Sequence, residues 1–337
     1  MVKKGVALIA TDAVDELLAR LRGGNVRALA RAISLVEDDS ADAHAVLSAC
    51  FPYSGGSLRI GVTGSPGAGK STLVDRLARG YREREETVGV LAVDPTSPFT
   101  GGAILGDRIR MAERLSDPGI YVRSMATRGS LGGLSQATAD AVTVLEASGK
   151  QKVLVETVGV GQDEVDIVRL ADVTLVVLVP GMGDDVQSIK AGIMEIADIF
   201  VINKADREGA DRVEKEIRAM QSLVSQHAGD DVWVPPMVRT VASTGQGVAE
   251  LMAAIDGMHA WLKQEDRLAK RRRRYWRERI VEMMRTELLR EVRQHGFSEQ
   301  ELETYARQVE RGKQDPYALV HRLVAERFSA VDEGRKQ

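Results

Sequence analysis

The residues best suited to chemistry lie in one glycine-rich stretch, GSPGAGKS, which matches the pattern G-x-x-x-x-G-K-[ST]. Glycines let backbone N–H groups turn inward around a phosphate, and a following helix adds the positive end of its dipole. Lys70 can bridge the β- and γ-phosphates, and the hydroxyl of Ser71 can bind Mg²⁺. The residues predicted to hold the phosphates are Gly64, Ser65, Pro66, Gly67, Ala68, Gly69, Lys70, Ser71 and Thr72.

A second polar motif, Asn203-Lys204-Ala205-Asp206, follows the apolar run FVI. The carboxylate of Asp206 can accept hydrogen bonds from N1–H and the exocyclic amino group of guanine, whereas adenine offers no matching donors. The stem of Lys204 can lie along the base plane. Ser243 follows the next apolar run, where GTPases place a loop that contacts the guanine oxygen. In this order after a phosphate loop, the motif favours GTP over ATP.

Three carboxylates are candidates for Mg²⁺ or its bound waters. Asp94 and Glu156 each end an apolar run, and Asp107 follows a Gly-Gly pair further along the chain. Oxygen ligands suit this cation, and the longer side chain of Glu156 can also reach the attacking water. The alternative for Asp107 is the cap of a helix. The predicted metal ligands are Ser71, Asp94, Asp107 and Glu156.

Two arginines and the loop after Glu156 are candidates to respond to the γ-phosphate. Arg108 or Arg110 can neutralise charge that develops on this phosphate, as an arginine finger does, and the alternative is a pair of surface arginines. Gly159 leaves an N–H free to approach the γ-phosphate, and the loop after it would order with triphosphate and relax after hydrolysis. Gln162 stands three residues after that glycine, so we expect slow intrinsic hydrolysis. The predicted catalytic residues are Lys70, Asp94, Arg108 and Glu156.

Short apolar runs rich in Val and Ile alternate with helical stretches from about residue 57 to 262. This texture predicts an α/β fold with a mainly parallel sheet covered by helices on both faces, as in P-loop NTPases. Residues 1–56 are predicted to form an N-terminal helical extension, and residues 263–337 a C-terminal helical arm. The expected domains are therefore 1–56, 57–262 and 263–337.

The helical extensions carry their own local signals. Ser40 is a plausible cap for the third N-terminal helix, and Ser298 with Glu301 forms a Ser-x-x-Glu capping box. Acidic residues lie on both sides of the run Arg271 to Arg274, which favours a solvated helix face over a nucleic-acid arm.

Composition narrows the class of protein further. The 337 residues carry a formal net charge of −3, which gives no electrostatic footprint for nucleic acid. The one cysteine, Cys50, excludes an internal disulfide framework, and the five histidines lack ligand spacing. No apolar run approaches the roughly 20 residues that span a bilayer, and the N-terminus does not read as a signal peptide. We expect a cytoplasmic protein without a membrane partner.

Four segments, DPTSPFTGGAILGDRIRM, RSMATRGSLGGLS, VETVGVGQDE and VPGMGDDVQSIKAGIMEIADIFVINKAD, closely resemble the MeaB/MMAA/ArgK family of SIMIBI-class P-loop GTPases. The resemblance implies a chaperone for adenosylcobalamin-dependent methylmalonyl-CoA mutase, in which GTP hydrolysis gates cofactor delivery and protects the mutase. It also implies a homodimer formed through the C-terminal helices. It implies magnesium-site roles for Ser71, Asp94, Asp107 and Glu156, and a third switch containing Asp184, Gln187 and Lys190.

The resemblance also bears on metals. Nickel and zinc chaperones of related fold carry Cys or His clusters, and this chain has none. We therefore expect Mg²⁺ with GTP or GDP, and no directly bound transition metal.

Two other functions are compatible with these motifs. A small-molecule kinase could use the same phosphate loop. The GTP-type base motif disfavours it, and so does the use of the extra residues for helical arms, because a kinase needs an acceptor pocket and usually a lid. A nucleotide-gated scaffold would bind GTP but hydrolyse it negligibly even with its client present.

Overall fold

The computed structural model describes residues 11–95, 117–127, 133–157, 169–181, 196–225, 232–295 and 298–334. Its strands are β1 (Leu58–Gly64), β2 (Val88–Pro95), β3 (Ile120–Thr127), β4 (Lys152–Glu156), β5 (Val173–Leu178), β6 (Ile199–Asn203) and β7 (Met237–Thr240). Its α-helices are α1 (Thr11–Arg22), α2 (Val26–Glu37), α3 (Ala43–Cys50), α4 (Lys70–Glu83), α5 (Gly133–Ala147), α6 (Ala210–Ser225), α7 (Val248–Lys263), α8 (Arg267–His295), α9 (Glu299–Glu310) and α10 (Pro316–Gly334).

The seven strands form one sheet in the order β3-β2-β4-β1-β5-β6-β7, and every described pairing is parallel. Strands β1, β4, β5 and β6 are buried along their whole length, as near-continuous Val and Ile runs require. The prediction of an α/β fold with a parallel sheet is confirmed. Strand β7 is short because Pro235 and Pro236, which lack an N–H to donate, precede it.

Helices cover both faces of the sheet, as the sequence predicts. On one face α4 and α7 pack over alternate residues of the central strands, with Leu73, Leu77 and Ile255 fully buried. On the other face α6 packs over β5 and β6, where Phe200 is fully buried. Burying alternate strand residues on both faces holds the sheet rigid, so that its strand ends keep fixed positions.

The chain divides into two compact units, residues 1–271 and residues 272–337. In the first unit the N-terminal helices α2 and α3 pack against α5. The predicted boundaries at residues 56 and 262 stay predictions. None of the described helices combines the length and the apolar character that a membrane crossing needs.

The local predictions in the helical extensions have mixed outcomes. The capping box at α9 is confirmed, because Ser298 accepts from the N–H of Glu301 and Glu301 accepts from the N–H of Ser298. The prediction for Ser40 is wrong. Helix α3 begins at Ala43, and the backbone carbonyl of Ser40, not its hydroxyl, accepts from the N–H of Ala43 at 2.9 Å.

The prediction of a solvated face is also wrong for Arg271. Its guanidinium donates to both carboxylate oxygens of Asp198, at 2.9 and 2.8 Å. Asp198 directly precedes β6, and its side chain is only 12% exposed, so an ionised carboxylate there needs a cationic partner. The start of α8 is thus attached to the sheet rather than solvated.

Candidate functional site

The phosphate-binding pattern forms the loop that joins β1 to α4. Gly64 has a φ of +137°, and a Cβ atom there would lie 2.1 Å from the carbonyl oxygen of Val177. Gly69 has a φ of +89°, and a Cβ atom there would lie 2.5 Å from the side-chain nitrogen of Asn203. Both positions therefore require glycine, for conformation and for close approach of neighbouring elements.

The ammonium group of Lys70 lies inside this loop. Lys70 is 5% exposed, and its Nζ donates to the carbonyl oxygens of Gly64 at 2.6 Å and Ser65 at 2.9 Å. These bonds hold the charge at the first turn of α4, where the helix dipole also favours an anion. The arrangement is suited to binding the phosphates of a nucleotide.

Ser71 and Glu156 meet beside the loop although 85 residues separate them. The hydroxyl of Ser71 donates to Oε1 of Glu156 at 2.5 Å. The contact follows from the strand order. Strand β4 lies next to β1 with Glu156 opposite Val62, so the end of β4 and the loop after β1 lie at the same edge of the sheet. Glu156 is 7% exposed, and the pair presents a hydroxyl and a carboxylate oxygen at the phosphate loop.

The other predicted ligands and catalytic residues fall largely outside the described residues. The backbone of Asp94 is described, near the end of β2, which pairs with β4. Its side chain lies outside the described part of the structure. Also outside it are Asp107, Arg108, Gly159, Asp184, Gln187 and Lys190.

Asn203, the first residue of the base motif, joins two loops. Its Nδ2 donates to the carbonyl of Ala68 in the phosphate loop at 2.8 Å. Its Oδ1 accepts from the hydroxyl of Thr240 and from the N–H of Ala242, both at 3.1 Å. The side chain is 2% exposed, so it fixes the distance between the phosphate loop and the loop after β7.

Lys204 and Asp206 follow at the end of β6. Lys204 adopts a φ of +55°, and its Nζ donates to the carbonyl of Gly67 at 2.7 Å, so its stem spans from the strand end to the phosphate loop. The N–H of Ala205 donates to the carbonyl of Thr240 at 3.0 Å, which holds the turn in place. Asp206 is exposed, which leaves its carboxylate accessible to a base.

The loop after β7 carries Ser243, which is exposed. Arg76, on α4, donates from Nε to the carbonyl of Ala242 at 2.9 Å and from Nη2 to the carbonyl of Ser243 at 2.5 Å. Sequence reasoning missed Arg76, and no local pattern indicates it. Its partners lie 166 and 167 residues away, so the contact exists only once the sheet has formed.

The fold and the site together define a P-loop nucleoside triphosphatase with a guanine-type base motif. Residues 29–296 match the sequence model of the family described as methylmalonyl-CoA mutase-associated GTPase MeaB. The chain belongs to this family, and it is a GTPase.

Relatives and solved structures agree with that membership. A protein of Pyrococcus abyssi named as a GTPase is 48% identical over 313 residues, which cover 93% of this chain and 96% of the relative. The GTPase ArgK of Escherichia coli is 37% identical over 298 residues, covering 87% of this chain and 89% of ArgK. The mouse methylmalonic aciduria type A homolog is 37% identical over 219 residues, covering 64% of this chain and 52% of that protein.

Among solved structures, the crystal structure of an LAO/AO transport system kinase is similar, with a TM-score of 0.70 and 28% identity. The match covers 95% of this chain and 99% of that structure. The prediction of the family from sequence segments is confirmed, as is the prediction of a P-loop NTPase fold.

Proposed function

We propose that this GTPase is a chaperone for adenosylcobalamin-dependent methylmalonyl-CoA mutase, coupling GTP hydrolysis to cofactor loading and to protection of the mutase. The observation that carries the proposal is the match of residues 29–296 to a family described by its association with this mutase. The name of the mouse relative, which refers to methylmalonic aciduria, supports the same client.

The base-reading role that we propose uses the carboxylate of Asp206, the stem of Lys204 and the loop that carries Ser243. Asp206 is exposed at the end of β6, and its carboxylate suits the two donors on the guanine edge. Asn203 supports this role indirectly, because its three hydrogen bonds fix the phosphate loop relative to the Ser243 loop. A site that must read both ends of one nucleotide needs such a fixed spacing.

We propose Mg²⁺ as the resident cation, with Ser71 and Glu156 among the groups that hold it or its waters. The donor set fits, because both side chains offer oxygen atoms and lie in contact at the phosphate loop. Asp94 and Asp107 are proposed to complete the set. When bound, the cation would neutralise charge on the β- and γ-phosphates.

Hydrolysis is proposed to depend on residues around the γ-phosphate. Lys70 holds its ammonium group within the phosphate loop, ready to neutralise negative charge. Glu156, fixed by Ser71, is proposed to orient the attacking water or a magnesium-bound water. Arg108 as the finger and Gly159 as the N–H donor complete the proposal.

Communication with the mutase is proposed to run through the third switch, residues Asp184, Gln187 and Lys190. We also propose a homodimer formed by the C-terminal helices. Helix α8 supports this, because Ile280, Met284 and Leu288 recur every fourth residue and are each 51–52% exposed. Such a stripe on one side of a helix is typical of a helix-to-helix interface.

The test is GTP turnover with and without purified methylmalonyl-CoA mutase at saturating Mg²⁺. We expect slow turnover alone and strong stimulation by the mutase. The Lys190→Ala variant should keep the slow turnover and lose most of the stimulation. Turnover that ignores the mutase would remove the proposed client while leaving the GTPase activity intact.

The similar LAO/AO transport system kinase raises a second candidate, phosphoryl transfer to a small molecule. Release of free phosphate from GTP without any acceptor would argue against it. A nucleotide-gated scaffold would instead show GTP binding with negligible hydrolysis in the presence of the mutase.

A further inference from the structure

Arg76 ties the helix behind the phosphate loop to the loop after β7. It lies on α4, six residues after Lys70, and its side chain reaches the carbonyls of Ala242 and Ser243. The guanidinium also lies close to the turn at Gly245. A Cβ atom added to this glycine would be 3.9 Å from Cζ of Arg76. In the part of the chain that the structure describes, Arg76 pairs with no carboxylate, so both of its bonds serve this loop.

The loop from Val241 to Gln246 satisfies most of its own N–H groups. The N–H of Val241 donates to the carbonyl of Gln246, and those of Thr244 and Gly245 donate to the carbonyl of Val241. By contrast, the N–H of Ser243 makes no hydrogen bond to any described residue. An exposed N–H at this place is a donor that a ligand can use.

The direction of that N–H is set by the peptide plane. The carbonyl of Ala242 and the N–H of Ser243 belong to one planar trans peptide group, so they point in opposite directions. Arg76 holds the Ala242 carbonyl toward α4 at 2.9 Å, which turns the Ser243 N–H away from α4. The N–H of Ala242, bonded to Asn203 at 3.1 Å, fixes the preceding peptide group.

We propose that Arg76 is a specificity-determining positioning residue, which aims the N–H of Ser243 at the oxygen on position 6 of guanine. This inference rests on the proposed base-reading role of the Ser243 loop. A guanidinium with two parallel donors is suited to the task, because it fixes two successive carbonyls at once. Arg76 would raise GTP affinity through the base, leaving the phosphate contacts unchanged.

The test compares GTP with two analogues that each change one position of the base. In 6-thio-GTP a sulfur replaces the oxygen at position 6, and in ITP the amino group at position 2 is missing. Dissociation constants are measured by calorimetry for the unaltered protein, Arg76→Ala, Arg76→Lys and Arg79→Ala. Arg79 is the matched control, since it lies on the same helix, pairs with Asp75 and is 52% exposed.

For Arg76→Ala we expect GTP to bind about ten-fold more weakly, the loss of roughly one hydrogen bond. Sulfur is a weaker hydrogen-bond acceptor than oxygen, so the affinity for 6-thio-GTP should fall less than the affinity for GTP. The preference for GTP over 6-thio-GTP should therefore fall about five-fold. The preference for GTP over ITP should stay constant, and turnover at saturating GTP should stay within about two-fold. Arg76→Lys should recover part of the loss, and Arg79→Ala should match the unaltered protein.

An unchanged preference for GTP over 6-thio-GTP in Arg76→Ala would overturn the inference, even if all nucleotides bound more weakly. Equal effects in Arg79→Ala would overturn it too, because they would show a general effect of losing charge on α4. If the unaltered protein itself bound both nucleotides equally, the proposed base-reading role of the loop would fail first. That result is distinguishable from a failure of Arg76 alone.

Discussion

The two edges of the parallel sheet both contain buried polar residues, but the partners of these residues differ. At the carboxyl edge Lys70 donates to backbone carbonyls, and Glu156 accepts from a serine hydroxyl. At the amino edge Arg59 meets Glu146 in a paired contact, with two N–O distances of 2.9 Å. The first edge contains contacts to backbone carbonyls and a hydroxyl, and the second contains ion pairs as well as contacts to backbone N–H groups.

At the amino edge, buried polar contacts connect different elements of the fold. Glu146, at 0% side-chain exposure, also accepts from the N–H of Gly55, which connects α5 to the segment before β1. The N–H of Arg59 donates to Asp172, and Asp198 accepts from the N–H of Thr174 as well as from Arg271. Full charges buried in this way need such partners, because desolvation would otherwise dominate.

The carboxyl edge is the one at which we propose that the nucleotide binds. In open parallel sheets the loops that follow the strands leave a crevice, and helix N-termini point their N–H groups into it. Lys70 and Glu156 lie at this edge, where backbone carbonyls and a serine hydroxyl help to orient them beside the phosphate loop. Residues at the opposite edge form ion pairs with one another, so we expect their loss to reduce stability rather than binding.

The largest expected effect is on stability at the amino edge. Glu146→Ala leaves the guanidinium of Arg59 buried, 6% exposed, without its carboxylate. We expect the free energy of unfolding to fall by about 3–5 kcal/mol, measured by urea denaturation. Glu303→Ala, which breaks an exposed pair with Arg307, is the control and should cost about 0.5 kcal/mol or less.

A double variant sharpens this prediction. Arg59→Met with Glu146→Leu removes both charges and should be less destabilised than Glu146→Ala, because no uncompensated charge remains. A double variant that is less stable than Glu146→Ala would show that side-chain packing, and not charge pairing, stabilises this contact.

The next effect concerns binding at the carboxyl edge. Lys70→Ala removes the cation from the phosphate loop, and we expect GTP and GDP to bind about 100-fold more weakly. The free energy of unfolding without nucleotide should change less than in Glu146→Ala, because the contacted carbonyls of Gly64 and Ser65 carry no full charge. Calorimetry and denaturation check the two expectations, with the exposed Lys263→Ala as control; unchanged affinity would remove the phosphate-loop assignment.

The smallest effect is a change of base preference. Asp206→Asn should weaken GTP binding about ten-fold and strengthen the binding of xanthosine triphosphate, because the new amide can donate to the oxygen that replaces guanine's amino group. Competition between the two nucleotides measures the shift. A preference identical to that of the unaltered protein would exclude Asp206 from base reading.

Local sequence patterns were sufficient to predict many structural features of this protein. The phosphate loop, the alternation of apolar strands with helices and the capping box at Ser298 depend on residues within a few positions of each other. The need for glycine at positions 64 and 69 could be predicted for the same reason, because the phosphate loop has a fixed length and requires positive φ angles at these two positions. Ser40 shows the limit even of local reasoning, since its carbonyl took the bond expected of its hydroxyl.

Contacts across the sheet could not be read from spacing. Ser71 meets Glu156 because β4 lies beside β1, and Arg76 meets Ala242 across 166 residues for a similar reason. The sequence predicts a solvated face for Arg271, whereas the fold brings Asp198 beside it. Sequence patterns specify which elements form and which groups can react; strand order then determines which of those groups meet, because partners far apart in the chain become neighbours only through packing.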